Sequence, residues 1–395
     1  YCSDDVFDAD PGAIAPDFRF YYDCLMGPNA RSVLQALKRM DGLPEINTIA
    51  VGHGPLLRHH LSHWISDYRE WSSQRSKGDS YAAVCYLSQY GFSDRLSQAI
   101  AHGIGKADAQ VQLVDLRATD PQELTALVGE AKAVVVPTWP TEPDGDLQAS
   151  IGTLLAALQP KQLVGVYDAF GGNDEPIDAV ADQLRNQGVK PAFEPLRIRQ
   201  LPQGGDYQRC EESGTDLGQI LMRKKSIEAL RSIDANLDKA LGRISGGLYI
   251  VTASQGDGDA RRSGAMVASW VSQASFSPPG LSVAVAKDRA IEALMQVGDR
   301  FVINVLRQDR YKPLMQHFLK RFPPGADRFE GVNVLHGAAE GGPVLTDALA
   351  YLSCQVEQRM EGPDHWIIYA LVEQGNVADL DGRTAVHHRK TGNHY

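Results

Sequence analysis

The sequence contains few cysteines and no long apolar run, and both absences exclude whole classes of protein. The five cysteines are odd in number, widely spaced and without any Cys-x-x-Cys pair: Cys2, Cys24, Cys85, Cys210 and Cys354. This pattern excludes a disulfide scaffold and a zinc ribbon, and it favours a reducing, cytoplasmic compartment. No stretch approaches the roughly 18 consecutive apolar residues of a membrane helix, so we expect no membrane span.

An excess of positive charge and the common nucleotide motifs are also missing. The formal net charge of −10 argues against a nucleic-acid partner, whose binding needs clustered Lys and Arg. Neither G-x-x-x-x-G-K-[ST] nor G-x-G-x-x-G occurs, which excludes a P-loop and a Rossmann fingerprint. The chain opens Tyr1-Cys2-Ser3-Asp4 without an initiator Met or a signal peptide, a start typical of the interior of a longer protein.

The 395 residues predict two or three domains, and three regions differ in pattern. Residues 1–75 combine two predicted helices with a short strand at Ile46–Val51, too few strands to close a core. Residues 81–222 alternate five apolar runs with helical patterns, which is typical of an α/β doubly wound parallel sheet. Residues 227–395 are rich in strands, which favours a closed β-barrel. The stretch Arg223–Asp234 is the predicted linker.

The most informative segment is the loop after the first strand of the middle region. A loop rich in hydroxyls and glycine between a parallel strand and a helix binds anions, because free backbone N–H groups and the helix dipole meet the charge. No lysine is present, so a monophosphate fits better than a triphosphate, and an ordinary capped turn is the alternative. The residues are Ser88, Gln89, Tyr90, Gly91, Phe92 and Ser93, with the Ser88 and Ser93 hydroxyls as further donors.

Two further loops follow the third and fourth predicted strands, where ligands bind in open sheets. Each carries an aromatic residue, Trp139 or Phe170, and the pair could sandwich a flat ring; simple surface packing is the alternative. Glu142, Asp144 and Asp146 would oppose a bound anion if they faced this site. The candidate binding residues of these loops are Pro137, Thr138, Trp139, Pro140, Asp168, Phe170, Gly171 and Gly172.

Several segments resemble parts of one protein family. Ser88–Gln98 resembles the FMN phosphate loop and first helix of the flavodoxin-like domain in flavodiiron proteins. Gly242–Gly247 and Ala268–Phe276 resemble a fused flavin-reductase-like barrel, and Phe20–Met26 with Gly52–Pro55 resemble the end of a metallo-β-lactamase-like di-iron domain. The order of these pieces is similar to that of the long diflavin flavodiiron proteins of oxygenic phototrophs.

The resemblance implies a three-part architecture. Residues 1–75 would be a C-terminal remnant of a metallo-β-lactamase-like αββα domain. Residues 81–222 would form an α/β flavodoxin-like, doubly wound domain that binds FMN, and residues 227–395 a flavin-reductase-like split β-barrel that binds FMN or FAD.

The resemblance also implies roles for single residues. His53 matches the family's last iron ligand, but the other ligands would precede Tyr1, so we expect di-iron only in the full-length protein. His59 and His63 have the spacing of a helical metal pair, yet a solvated helix face explains them better, because the zincin pattern needs Glu where His60 stands.

In the barrel region, the resemblance gives cofactor-binding candidates and one catalytic candidate. His365, in Gly362-Pro363-Asp364-His365, resembles a Gly-Asp-His turn near the nicotinamide face and is the catalytic candidate. Lys287 and Arg289 could pair with a phosphate. The ending His387–Tyr395 also resembles that of the family, with a basic solvated tail as the alternative. The cofactor-binding candidates are Ser269, Trp270, Ser275 and Asn304.

The function implied by the resemblance is flavin-dependent electron transfer. NAD(P)H would give hydride to the barrel flavin, and electrons would pass singly to FMN and, in the complete protein, to di-iron, where oxygen becomes water. NAD(P)H and oxygen are therefore the expected partners, and a homo- or hetero-oligomer is expected. The alternatives are a non-catalytic electron-carrier or assembly module with vestigial flavin sites, and a stand-alone NAD(P)H:flavin reductase.

Overall fold

The computed structural model describes residues 6–27, 30–76, 81–170, 177–198, 201–335 and 337–392. The chain divides into two compact units, Tyr1–Arg199 and Gln200–Tyr395. Among the described residues, no helix combines the length and the apolar character that crossing a bilayer requires.

Helices dominate the start of the first unit. They are α1 (Pro11–Tyr21), a π-helical turn (Tyr22–Met26), α2 (Ala30–Met40) and α3 (Leu61–Ser76). The two predicted helices are confirmed, whereas the predicted strand is reduced to a single bridge between Ile49 and Leu57. Ile14, Leu57 and Trp64 form a small buried core. The assignment of this region to a metallo-β-lactamase-like remnant stays a prediction.

The buried carboxylate of Asp8 anchors the start of α3. Its oxygens accept hydrogen bonds from the backbone N–H groups of Arg58 (2.7 Å), His59 (2.8 Å) and His60 (3.1 Å), and from Trp64 Nε1 (2.9 Å). Burial by itself raises the pKa of Asp8, but these four bonds outweigh it and lower the pKa to about 2. Asp8 therefore stays ionised and fixes the chain that enters the helix.

The middle of the chain forms a parallel sheet with the order β2-β1-β3-β4-β5. Its strands are β1 (Tyr81–Tyr86), β2 (Gln110–Asp115), β3 (Ala133–Pro137), β4 (Leu163–Tyr167) and β5 (Lys190–Pro191). The intervening helices are α4 (Ser93–Lys106), α5 (Pro121–Glu130), α6 (Gly145–Ala157) and α7 (Ile177–Asn186). This is the strand order of flavodoxin-like sheets, so the predicted doubly wound sheet is confirmed.

The second unit contains a seven-stranded antiparallel sheet with the order β8-β7-β11-β14-β15-β10-β9. Two helices, α8 (Gly204–Arg231) and α9 (Ala235–Leu241), precede it. The strands are β6 (Gly246–Gly247), β7 (Tyr249–Gln255), β8 (Arg262–Ala268), β9 (Val271–Phe276), β10 (Pro279–Ala286), β11 (Arg300–Val305), β12 (Val334–Leu335), β13 (Val344–Leu345), β14 (Ala350–Glu361), β15 (His365–Val377) and β16 (Val386–His387), with α10 (Tyr311–Leu319) between β11 and β12.

The antiparallel sheet closes on itself. Its two edge strands, β8 and β9, are joined by only two residues, Ser269 and Trp270. So short a connection spans about 10 Å at most, so the two edges must lie next to each other. The predicted β-barrel is therefore confirmed, with Val251, Phe301 and Ile368 in its buried core.

The predicted linker at Arg223–Asp234 is mostly helical, because α8 continues without a break to Arg231. The first half of α8 is anchored within the second unit, where Glu212 forms a buried ion pair with Arg328 (3.0 Å). Exposed charges in the second half give the sequence the appearance of a linker. The boundaries 81–222 and 227–395 stay predictions.

Candidate functional site

Three loops meet at the carboxyl end of the parallel sheet. They are the first loop (Ser88–Ser93), the second loop (Thr138–Thr141) and the third loop (Asp168–Phe170). Phe92 N donates to Ala169 O (2.7 Å), which joins the first loop to the third. Ala169 N donates to Thr138 Oγ1 (2.8 Å), which joins the third to the second. The predicted convergence of these loops is therefore a direct contact.

The first loop lies against the third only because residue 91 is glycine. Gly91 has a φ of +53°, in the left-handed region. A Cβ at this position would lie 2.5 Å from Phe170 Cα and 2.7 Å from Ala169 O, both of them backbone atoms. Gln89 also has a positive φ, of 60°, a conformation that few non-glycine residues adopt.

The first loop presents donors that no described residue uses. Among the described residues, the N–H groups of Gln89 and Gly91 and the half-buried hydroxyl of Ser88 make no hydrogen bond. They stand at the N-terminal end of α4, where the helix dipole favours negative charge. This arrangement fits an anion the size of a single phosphate.

Two carboxylates lie close to the first loop. Asp115 Oδ1 accepts a hydrogen bond from Ser88 N at 3.3 Å. Burial, with the negative charge of Asp115, raises the pKa of Asp94 above its ordinary value. These two carboxylates make the electrostatic potential at the first loop less positive than its N–H groups alone would make it. They therefore weaken the binding of an anion there.

Aromatic rings line the mouth of the loops. The rings of Tyr90 and Phe170 are 5.3 Å apart at an interplanar angle of 42°. Phe170 is 52% exposed. Trp139 is only partly exposed and packs against the core of the sheet. The structure therefore pairs Phe170 with Tyr90 rather than with Trp139. Pro140, beside Trp139, is half-buried.

Gly171 and Gly172, two predicted contact residues, lie outside the described residues. Several other predicted contact residues of the sheet have buried side chains. Ser93 is fully buried, and its Oγ accepts from Leu87 N (2.9 Å) and lies 3.1 Å from Tyr167 Oη. Asp168 is 4% exposed, and its Oδ2 accepts from Ile198 N (3.0 Å). The Ser93 hydroxyl and the Asp168 carboxylate are thus held by buried partners in this structure, and their contacts with a ligand stay predictions. Pro137 is buried too.

The acidic residues near the second loop repel a bound anion less strongly than the sequence alone suggests. Asp144 accepts from Leu147 N (2.9 Å) as the N-cap of α6. It also pairs with Arg117 Nη1 (2.9 Å). The Leu147 hydrogen bond, with that of Arg117, lowers the pKa of Asp144, and the Arg117 charge offsets its own. Glu142 and Asp146 are exposed.

In the second unit, Trp270 lies between two cationic or titratable groups. Its ring is 5.1 Å from that of His365, and Arg389 Cζ is 5.2 Å from the Trp270 ring centroid. Asp364 Oδ1 is 3.0 Å from His365 Nδ1. His365 Nε2 is buried and has no hydrogen-bond partner among the described residues. The structure thus brings two predicted residues, Trp270 and His365, together with Arg389 from the C-terminal segment.

A cavity of about 290 Å³ is lined by Ser269 and His388, the chain neighbours of Trp270 and Arg389. Ser269 Oγ and His387 Nδ1 are buried without a hydrogen-bond partner among the described residues. Burial, then the charges of Arg389 and His388, lower the pKa of His387, so its ring is neutral near pH 7. The remaining lining is mostly apolar: Leu248, Val267, Tyr311, Met315, Leu319, Val386 and His388. Such a cavity suits a planar ligand with a polar edge.

Two other predicted contacts in the barrel are structural. Asn304 is fully buried; its Nδ2 donates to Ile250 O (3.2 Å), and its Oδ1 accepts from Leu345 N (2.8 Å). The Asn304 amide therefore joins β11 to β7 and β13, and its contact with the cofactor stays a prediction. Ser275 Oγ lies against Pro278 O and Tyr369 Oη. Lys287, a predicted phosphate partner, pairs with Glu361 at 2.7 Å.

The predicted iron ligand stands alone. His53 is exposed in a turn, with its ring 5.9 Å from that of Tyr21. The described ranges contain no group of three or more His, Cys, Asp or Glu residues that could hold a metal ion. The residues that the structure describes therefore do not by themselves fit a di-iron centre. His59 and His60 donate their backbone N–H groups to Asp8.

The sequence reasoning missed Tyr167, Asp115, His387 and Arg389. Tyr167 is the last residue of an apolar strand, so it could be interpreted only as part of the core. The free hydroxyl of Ser269 and the free Nδ1 of His387 are properties of the folded chain. Only the resemblance of the C-terminal segment pointed to His387 and Arg389.

Comparison with known proteins gives similarity in both units. Residues 241–393 match the flavin reductase like domain family. Diflavin flavoprotein A 1 from Synechocystis sp. is 57% identical over 395 residues, 100% of this chain and 68% of that protein. A flavodoxin-like domain from Synechococcus sp. is 49% identical over 36% of this chain and 99% of that chain, with a TM-score of 0.35. A metal-soaked flavodiiron core from Synechocystis sp. is 32% identical over 56% of each chain, with a TM-score of 0.48.

Proposed function

The chain belongs to the diflavin flavoprotein A family, and we propose that it oxidises NAD(P)H and passes the electrons between two flavins, one in each unit. The observation that supports this most directly is the meeting of the three loops. The unused donors of the first loop suit the phosphate of FMN, and the half-exposed ring of Phe170 suits its flat ring system. Electron transfer through flavin is the coarse activity of the family. The nicotinamide substrate and the two separate flavin sites are the proposal.

In the first unit, the first loop would hold the phosphate of FMN. The N–H groups of Gln89 and Gly91 and the hydroxyl of Ser88 would donate to its oxygens, because no described residue uses them. Phe170, which keeps half of its surface open, would cover the ring together with Tyr90.

In the second unit, the cavity beside Trp270 would hold the reacting rings. A bound flavin supplies the capacity to take two electrons from a nicotinamide and to release them one at a time. The carboxylate of Asp364 favours the His365 tautomer that carries the proton on Nδ1. Nε2 is then an acceptor, able to orient an N–H group of the substrate. Ser269 and the neutral ring of His387 would bind the polar edge of the ligand.

Reduction of oxygen by di-iron is not assigned to this chain. Among the described residues, His53 has no companion ligands, so no step passes through iron. We propose that oxygen reduction requires the further ligands of a longer protein.

The test is reconstitution of the full chain with FMN, followed by flavin quantitation and by NADH and NADPH oxidation with an artificial acceptor. We expect two flavins per chain at saturation and turnover with at least one nicotinamide. Protein that takes up no flavin from excess FMN would contradict the enzymatic proposal and favour the carrier or assembly module.

One observation favours a second candidate, a stand-alone NAD(P)H:flavin reductase. Asp94 and Asp115 place negative charge beside the first loop, and this charge opposes a bound phosphate. In that case the barrel alone would be active, so saturation would give one flavin per chain and Ser88→Ala would change neither flavin content nor turnover.

A further inference from the structure

A chain of buried hydrogen bonds runs beneath the first loop. Leu87 N donates to Ser93 Oγ (2.9 Å), Ser93 Oγ lies 3.1 Å from Tyr167 Oη, and Tyr167 Oη donates to Cys85 O (2.9 Å). Tyrosine has a single hydroxyl proton, and of its two backbone acceptors Cys85 O (2.9 Å) is closer than Ser93 O (3.4 Å). With that proton on Cys85 O, the Ser93 hydroxyl donates to Tyr167, and the bonds form a relay with one direction.

All four residues of this relay are fully buried. Away from water, neighbouring hydrogen bonds strengthen one another, and a polar group that loses its partner is costly. Removal of the Tyr167 hydroxyl would take away the acceptor of Ser93 and weaken the hold of Ser93 on Leu87 N.

The relay joins both ends of the first loop to the end of β4, which lies two strands away from β1 in the sheet. Leu87 immediately precedes the loop, Ser93 ends it and begins α4, and Tyr167 ends β4. The chain after Tyr167 forms the third loop, whose Ala169 O accepts from Phe92 N. The N–H groups of Gln89 and Gly91 lie between these two fixed ends, so their directions depend on them.

We propose that Tyr167 is a positioning residue for the anion site, and that its hydroxyl acts through Ser93 to fix the N–H groups that bind phosphate. This inference rests on the proposal that the first loop holds the phosphate of FMN. It gives Ser93 an indirect part in place of the direct contact that the sequence indicated.

The test compares FMN with riboflavin, which has the same ring but no phosphate, in titrations of the full chain followed by flavin fluorescence. Tyr167→Phe keeps the ring and removes only the hydroxyl. We expect about tenfold weaker binding of FMN and a change within about twofold for riboflavin. Flavin bound in the second unit serves as an internal reference, since the variant lies in the first unit.

The matched control is Tyr81→Phe. Tyr81 is a buried residue of the same sheet, and its hydroxyl donates to Leu127 O. It lies at the opposite end of β1 from the first loop, so its loss should leave the affinity for both flavins unchanged. If Tyr81→Phe lowers FMN affinity as much as Tyr167→Phe does, general destabilisation explains the effect and the proposal is overturned.

Ser93→Ala breaks the same relay at its middle and remains informative if Tyr167→Phe does not fold. It should produce the same selective loss for FMN, and the double variant should lose no more than either single variant, because both act through one chain of bonds. Equal losses for FMN and riboflavin, no loss, or additive losses would overturn the proposal. A wild-type chain that binds FMN no better than riboflavin would instead refute the phosphate site itself.

Discussion

Gly91→Ala tests how closely the first and third loops must approach for flavin to bind. A Cβ at residue 91 would lie 2.5 Å from Phe170 Cα, whereas carbon atoms in ordinary contact are about 3.5–4.0 Å apart. The loops would have to separate by about 1 Å, since both colliding groups belong to the backbone. The bond from Phe92 N to Ala169 O would lengthen with them.

Backbone strain at residue 91 and loss of the hydrogen bond between the loops both contribute free-energy costs in this variant. The left-handed φ of residue 91 costs alanine about 1–2 kcal/mol, and loss of the loop-to-loop hydrogen bond costs about 0.5–1.5 kcal/mol. The total is about 1.5–3.5 kcal/mol, so if the strain is relieved only by separation of the two loops, FMN binding falls by about 10-fold to 400-fold. Titration of the full chain with FMN measures the loss, and thermal unfolding measures any part that appears as reduced stability.

Gly152→Ala is the matched control. Gly152 lies within α6, and a Cβ there would meet no atom within 4 Å. Alanine in a helix interior should stabilise the protein by about 0.5–1 kcal/mol and leave FMN affinity unchanged. A Gly91→Ala protein that binds FMN as tightly as wild type and unfolds at the same temperature would show that flavin binding does not need this close approach of the two loops.

Three further predictions concern other parts of the molecule. Because the pKa of Asp8 falls from 3.8 to about 2 on folding, it contributes about 2 kcal/mol to stability above pH 4 that is lost as the pH falls towards 2. Urea unfolding followed by tryptophan fluorescence should show this acid loss, and Asp8→Asn should abolish it. His365→Ala should lower NAD(P)H oxidation by about tenfold or more with unchanged flavin content, and an unchanged rate would remove His365 from the mechanism. Asn304→Ala should lower the free energy of unfolding by about 2–4 kcal/mol, because it leaves buried partners such as Leu345 N unpaired; the exposed Ser272→Ala should stay within about 0.5 kcal/mol of wild type in the same urea series.

The sequence was sufficient to predict the α/β sheet and the barrel, because each depends on patterns within a few consecutive residues. Apolar runs such as Ala133–Val136 become buried parallel strands, and the change to closely spaced strands marks the second unit. The predicted strand at Ile46–Val51 was wrong because a strand needs a partner along its length, and here the partner contributes only one bridge, at Leu57.

The direction of side chains at the ends of strands could not be predicted. Asp168 turns inward because its partner, Ile198 N, lies 30 residues further along the chain. Asn304 is held by Leu345 N, 41 residues away. A hydroxyl, amide or carboxylate at a strand end can form a hydrogen bond either with a ligand or with a backbone group far away in the sequence. Which of the two it does depends on the fold. The location of the loops was accessible from sequence, and the choice between surface and interior was not.

The two residues that close the barrel are also residues of its candidate site. Ser269 and Trp270 are the whole connection between the edge strands β8 and β9. Ser269 lines the cavity, and Trp270 packs against His365 and Arg389. A ligand bound there therefore stabilises the closed arrangement of the two edge strands, β8 and β9. By mass action, each tenfold rise in free ligand concentration above the dissociation constant raises the free energy of separating β8 from β9 by about 1.4 kcal/mol. Loss of cofactor and fraying of the barrel edges are thus coupled events, so proteolysis between β8 and β9 reports occupancy of the site without any measurement of redox activity.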